Sequence, residues 1–208
     1  MLFHHVPSWV QLFFPRYVWH RSRGEKKVYL TFDDGPVPGI TDFVLEELAE
    51  REMKATFFMV GENVVKHLSL AKKVRDQGHQ IGNHTFNHLN GLRFSAEEYV
   101  ENVEKCQSTL SHLLDLRPTL FRAPYGRMTH RQIKMVSQTY QIIMWDVLSG
   151  DYHAKQLPDR CLRKLKKYIQ NGSIILFHDQ AKTAGLVREV LPAFLDFLQA
   201  SGYKSAVL

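Results

Sequence analysis

The order of hydrophobic patterns along the chain constrains its fold most. Short strand-like runs and helix-like stretches alternate strictly over most of its length. "VYLTF" at 28–32 reads as a buried strand. "ITDFVLEELAERE" follows, with Phe43, Val44 and Leu48 at helical spacing and Thr41 as the expected cap. Next come the strand "ATFFMVG", the helix "NVVKHLSLAKKVRDQG" stopped by Gly78, the short strand "HQIGNHT" and a long amphipathic helix from Ser95, with Ser95 and Glu98 as a capping box. "TLFRAPYG", a helix near Thr129–Thr139, "QIIMWDV", a helix around Asp159–Ile169, "SIILFHD", "LVREVLPAFLDFLQAS" and a last strand near Lys204–Leu208 complete the series. Strands and helices in turn require parallel strands joined by crossovers. The expected fold is therefore α/β, a closed or nearly closed barrel of about seven parallel strands with surrounding helices; an open doubly wound sheet is the runner-up.

Such sheets collect function at the carboxyl ends of their strands. The strands at 28–32, 79–83, 118–121, 141–145 and 173–177 are each followed at once by polar, chemically capable residues, which would converge on one rim. At the first end, "LTFDDGP" sets Asp33 beside Asp34. This is either a solvated turn or a site where one carboxylate holds a metal and the other moves protons. At the second, His84 and His88 in "HTFNH" are four apart and can offer two neutral imidazoles to one ion; two hydrogen-bonded surface histidines are the plain alternative. Two His and one Asp would leave coordination positions open for water, as in a hydrolytic metal centre. Spacing does not say which aspartate binds and which works beside the ion. The other histidines, His4, His5, His20, His67, His79, His112, His130 and His153, are read as structural.

Hydrolysis also needs an acid for the leaving group. His178 in "LFHD" is the natural candidate, with Asp179 beside it read as a cap or turn residue. Asp151 in "WDVLSGDY" either orients that imidazole or is a turn residue after Ser149-Gly150. In "FRAPYG", Arg122 could pair with an acidic catalytic residue. Pro124 restricts the backbone so that the Tyr125 N–H could face a developing oxyanion, though an ordinary strand-ending turn reads the same way.

Taken together, these residues resemble the polysaccharide deacetylases of the NodB-homology type, carbohydrate esterase family 4, over about residues 27 to 180. "TFDDG", "HTFNH", "RAPY", "WDVLSGDY" and "LFHD" are similar to the five family motifs and occur in the same order. The resemblance implies a distorted (β/α) barrel and metal-dependent removal of N-acetyl or O-acetyl groups from sugars. It implies Asp33 as general base and Asp34, His84 and His88 as ligands of a divalent metal, usually zinc, with cobalt or another divalent ion in some members. It implies His178 as general acid, Arg122 and Asp151 as tuners of base and acid, and the Tyr125 N–H on the oxyanion. Leu176 would line the acetyl-methyl pocket, and Trp145 and Tyr152 would also meet substrate. One departure is Tyr152, where the family commonly has Trp; it changes the wall of that pocket.

Composition sets the remaining bounds. At 208 residues the chain reads as one domain, 27–208, with residues 1–26 as an aromatic-rich flanking segment packed on it. The formal charge of +6 favours anionic partners only weakly, since the basic residues fall in short pairs and triplets; a nucleic-acid partner is not expected. Cys106 and Cys161 have neither metal-motif nor disulfide-scaffold spacing and read as free, buried and structural. The N-terminal apolar run is broken by Pro7, Gln11 and Pro15, so it reads as neither signal peptide nor membrane span, with at most weak membrane-surface contact. The compartment reads as cytoplasmic by that criterion, the cell envelope by the substrate class. The expected partner is an acetylated glycan, peptidoglycan or chitin-like, and the expected state a monomer. An O-acetyl esterase or small-amide hydrolase, and an inactive carbohydrate-binding domain, are the alternatives.

Overall fold

The computed structural model of the chain describes residues 4–153 and 155–208. In chain order the elements are α1 Ser8–Phe13, β1 Tyr17–Val18, β2 Lys27–Asp33, α2 Ile40–Glu50, β3 Ala55–Met59, α3 Gly61–Lys66, α4 Leu68–Asp76, β4 Gln80–Asn83, α5 Ala96–Leu114, β5 Leu120–Phe121, α6 His130–Val136, β6 Gln141–Ile143, β7 Val147–Leu148, α7 Pro158–Tyr168, β8 Ile174–His178, α8 Ala184–Ala200 and β9 Lys204–Ser205. Eight strands lie side by side in the order β1-β6-β5-β4-β3-β2-β8-β7, all pairs parallel, and β9 pairs with the start of β2.

Chain connectivity alone shows that this sheet is curled. β6 and β7 are separated by Met144, Trp145 and Asp146 only, a link that spans at most about 14 Å. In a flat sheet their places in the strand order would be six spacings apart, about 29 Å. The sheet must therefore wrap until its two ends approach, giving the barrel expected from the alternation in the distorted form implied by the resemblance. Asp146 helps hold that closure: its carboxylate accepts from Arg23 Nη2 at 2.8 Å, from the Ser173 hydroxyl at 3.0 Å and from the Ile174 N–H at 2.8 Å.

Alternation along the strands sorts the side chains into two layers. Leu30, Phe32, Phe57, Ile175 and Phe177 face outward into the main hydrophobic core, with residues of α2, α4, α7 and α8. Phe58, Leu120, Ile143 and Ile174 form a separate cluster inside the curl. Phe32 is fully buried and stacks on Phe57 and Phe177, with ring centroids at 5.1 and 5.8 Å. Phe32→Ala is expected to cost about 3–5 kcal/mol, seen as a lower denaturation midpoint with an unchanged slope; a loss under about 1 kcal/mol would mean that the outer layer is not the main core.

Three local expectations are corrected. Thr41 is not the cap of α2: Gly39 is, its N–H donating to Asp42 Oδ2 at 2.9 Å, while Thr41 lies inside the helix and its hydroxyl turns inward. The helix expected from 63 to 78 is two helices, broken where His67 takes φ −128°; the buried positions 64, 70, 71 and 74 would fit one stripe of a continuous helix, so the apolar pattern gave no sign of the break. Two strands escape the sequence reading: β1 lies in the flanking segment, and β7 begins at the end of "QIIMWDV", a run that reads as one strand but divides into β6 and β7. The Ser95–Glu98 capping box and the Gly78 stop are both present, Gly78 with φ 76°. Cys106 and Cys161 are free and buried. No helix among the described residues is long and apolar enough to cross a membrane.

Candidate active site

The strand ends named by the sequence open on one cavity of about 500 Å³, whose lining includes Asp33, Asp34, His84, His88, Tyr125 and His178. Adjacent residues of an extended strand point to opposite faces, so two neighbouring aspartates need a break in the strand to share a site. β2 ends at Asp33, and Asp34 takes φ 79°, which turns its side chain back into the same cavity. Thr85, His88 and Tyr125 also have positive φ, at 64°, 56° and 59°. Such strain in non-glycine residues collects where the surrounding structure enforces it, often at functional sites.

Asp33 is 3% exposed and is held by Arg122, whose Nη1 donates to its Oδ1 at 2.7 Å. Arg122 is fully buried inside the curl, donating also to the Thr31 hydroxyl at 2.8 Å and to the Ile143 and Met144 carbonyls at 3.2 and 2.9 Å. Its guanidinium sits 4.2 Å over the Phe58 ring. Every face of the cation is thus occupied, and among the described residues Asp33 is the one carboxylate paired with it. That leaves Asp33 Oδ2 free toward the cavity, 3.9 Å from His84 Nε2.

Asp34, His84 and His88 each offer one ligand atom, all within 4.8 Å of one another. His84 Nδ1 lies 2.8 Å from the Arg122 carbonyl, which can only accept, so Nδ1 carries the hydrogen and a neutral ring presents a bare lone pair at Nε2. That lone pair faces Asp34 Oδ1 at 3.3 Å, and His88 Nε2 reaches the same oxygen at 2.9 Å. Oδ1 is buried and accepts no hydrogen bond from any described residue. Electron-rich atoms converging without donors require positive charge between them, and a divalent cation fits that demand. Burial opposes the negative charge on Asp34, but positive charge at this point, from protonated His84 and His88 or from a cation in the place of those protons, outweighs burial and holds its carboxyl well below the usual range.

His178 pairs in register with Asp33 across β2 and β8. Its Nδ1 lies 2.7 Å from Asp151 Oδ1, and its backbone N–H donates to Asp151 Oδ2 at 2.7 Å. Burial works against a charge on this imidazole, but Asp151, and more weakly Asp34 and Asp33, push its pKa up to about 9. Asp151 contacts the imidazole and also lies in a turn after Ser149-Gly150, so the two readings left open for it are compatible. Leu176, Trp145 and Tyr152 line the cavity; Leu176 is buried, and Tyr152 is exposed with its ring edge-on to His178 at 5.5 Å. The Tyr125 ring packs edge-on against His88 at 4.8 Å.

Asp179 is corrected. It is no turn residue: it is 1% exposed, its N–H donates to the Asp33 carbonyl at 3.0 Å, and its carboxyl accepts from the Gly35 N–H at 3.1 Å and the Thr41 hydroxyl at 2.6 Å. Burial pushes its pKa up to about 8, with Asp34 adding to the shift and Thr41 opposing it. A Cβ on Gly35 would come within 2.0 Å of Asp179 Oδ2, so only glycine lets the two loops meet. Asp179 thereby locks the Asp33–Asp34 turn to the end of β8. Sequence reasoning also missed two residues that hold Asp34: Gln180, whose Nε2 donates to Asp34 Oδ2, and Asn63, which donates to the Asp34 carbonyl at 2.7 Å. Gln180 directly follows "LFHD", the one signal that pointed to it; Asn63 had none.

Three comparisons with known proteins agree with this geometry. Residues 20–141 match the family model described as polysaccharide deacetylase. A Bacillus cereus protein named peptidoglycan-N-acetylglucosamine deacetylase is 33% identical over 172 residues, 82% of this chain, and the chain spans 62% of that relative's length. A chitooligosaccharide deacetylase of Azorhizobium caulinodans is 31% identical, over 88% of this chain and 92% of that protein. Among solved structures, a peptidoglycan N-acetylglucosamine deacetylase in complex with an N-oxidanyl-benzamide superposes with a TM-score of 0.87 at 30% identity, covering 97% of this chain and 94% of that one.

Proposed function

The chain belongs to the polysaccharide deacetylase family, and from that premise we propose that it hydrolyses the acetamido group of N-acetylglucosamine-containing glycans such as peptidoglycan or chitin-like oligosaccharides. One observation carries the reading. A carboxylate fixed by a buried arginine and an imidazole fixed by a second carboxylate open on the same cavity as the Asp34, His84 and His88 cluster. A base, an acid and a cation site together are what amide hydrolysis asks for; a binding module needs none of them.

Asp34 Oδ1, His84 Nε2 and His88 Nε2 would hold the divalent ion, and two imidazoles with one carboxylate suit zinc. Bound there, the ion supplies positive charge that polarises an acyl carbonyl and acidifies water. Asp33 Oδ2 takes the proton of the attacking water, because Arg122 occupies Oδ1 and fixes the direction of Oδ2. His178 donates a proton to the departing amine, held in position and kept charged by Asp151. The Tyr125 backbone N–H faces the developing oxyanion, and Leu176 and Trp145 wall the acetyl methyl group. The smaller Tyr152 face leaves more room on that wall than a tryptophan would.

The basic test is acetate release from N-acetylglucosamine oligomers by zinc-loaded protein; release from O-acetylated xylan or aryl acetates alone would replace this reading with an esterase. A sharper test uses pH. His178 acts in its protonated form, so a pKa raised toward 9 extends activity to higher pH, while a cation in the cluster works against part of that shift. Removing the Asp151 charge lowers the His178 pKa, so in Asp151→Asn the alkaline limb of kcat moves to lower pH by about one unit or more. An unmoved limb would remove His178 from the role of acid.

A further inference from the structure

The cavity also carries positive charge that the reaction does not use. Arg93 ends a 3₁₀ turn at Gly91–Arg93, Arg127 follows the turn Pro124–Gly126, and Lys182 lies in the turn Ala181–Thr183. Three separate strand-end loops thus each bring one cation to the same cavity, and all three residues are exposed. None of the three side chains makes a hydrogen bond or ion pair with any other described residue, whereas Arg122, deeper in the same site, uses every donor face. The acidic residues in the lining are Asp33 and Asp34, one tied to Arg122 and the other to the two imidazoles. The rim therefore has no counter-charge of its own, and the fold gains nothing from grouping these cations at the mouth.

We propose that Arg93, Arg127 and Lys182 are specificity residues that select an acetylated glycan carrying a carboxylate close to the acetamido group. The inference rests on the deacetylase reading and narrows its substrate class from N-acetylglucosamine-containing glycans in general to those that carry carboxylates. The side-chain chemistry fits such a ligand, since the two guanidinium forks match a carboxylate in bidentate geometry and the lysine adds a mobile point charge. Each contact is solvent-exposed and individually weak, but together they attract and orient an anionic glycan. They act on KM more than on kcat, because they lie outside the reacting atoms.

The test compares two substrates that differ only in charge: an N-acetylglucosamine oligosaccharide bearing carboxylate substituents, and the same glycan with each carboxylate converted to the carboxamide. With zinc-loaded wild-type protein at low salt, the carboxylate form should have about a tenfold higher kcat/KM, expressed mainly in KM, and the advantage should shrink toward unity as ionic strength rises. In Arg93→Gln/Arg127→Gln/Lys182→Gln the advantage should disappear, the loss on the carboxylate glycan exceeding any loss on the amide. Equal kcat/KM on the two glycans in the wild type, a salt-independent preference, or equal losses in the triple variant would each overturn the selection of anionic sugars while leaving the deacetylase reading standing. No acetate from either glycan would overturn the deacetylase reading itself, and this inference with it.

Discussion

Asp33→Asn is expected to bind zinc as the wild type does and to lose turnover by about a thousandfold, the size of a general-base contribution. Asparagine keeps the shape and the Oδ1 acceptor for Arg122, but the amide that replaces Oδ2 cannot take a proton. The cation cluster is built from Asp34, His84 and His88 and remains whole. The same substitution leaves the Arg122 guanidinium fully buried without its carboxylate, so the variant should also lose about 3 kcal/mol of stability. Calorimetric zinc binding, saturating kcat and chemical denaturation of one preparation read the three quantities separately. A variant that still turns over at wild-type rates would show that the base lies elsewhere.

His84→Ala is expected to lose cation binding and activity together. Removing a residue that merely orients a ligand costs roughly 10–100-fold in metal affinity, so removing a ligand should cost at least about a hundredfold. A readout independent of activity follows from linkage: zinc at a hundred times its Kd should stabilise the wild type by about 2.7 kcal/mol and raise its Tm accordingly, with chelator reversing the gain. His84→Ala should give a flat Tm across the same titration. Tight zinc uptake by the variant would place the ion elsewhere. The expected partial compensation is small, because the Nδ1–H of His84 also anchors the Arg122 carbonyl and no other described side chain reaches that position.

How far these roles could be read from the sequence differs from residue to residue. Strand–helix alternation announced the parallel sheet, because each element must bury one face and the period of that face is written locally. The two-residue strands β1 and β7 went unread, and the apolar pattern across His67 is compatible with an unbroken helix, so nothing local announced the break there. The pairing of Asp33 with Asp34 was visible, but the division of labour between them was not. The proposed division rests on the positive φ of Asp34 and on Arg122, which is 89 residues from Asp33 in the chain. Asp179 read as a turn residue because Asp is common in turns; only packing against Gly35, 144 residues away, shows it as a buried lock.

The amino-acid order by itself determined which chemical groups sit at the ends of which strands, and hence that one edge of the sheet would bear carboxylates, imidazoles and a guanidinium. Tertiary structure decided which of these groups meet. Curling of the sheet brings the loops after β2, β4, β5 and β8 to one mouth, places Arg122 inside the curl, and gathers Arg93, Arg127 and Lys182 at the rim. The reason is physical. Residue type and spacing act over a few residues, while the approach of two side chains dozens of residues apart depends on strand register and on the packing that closes the sheet.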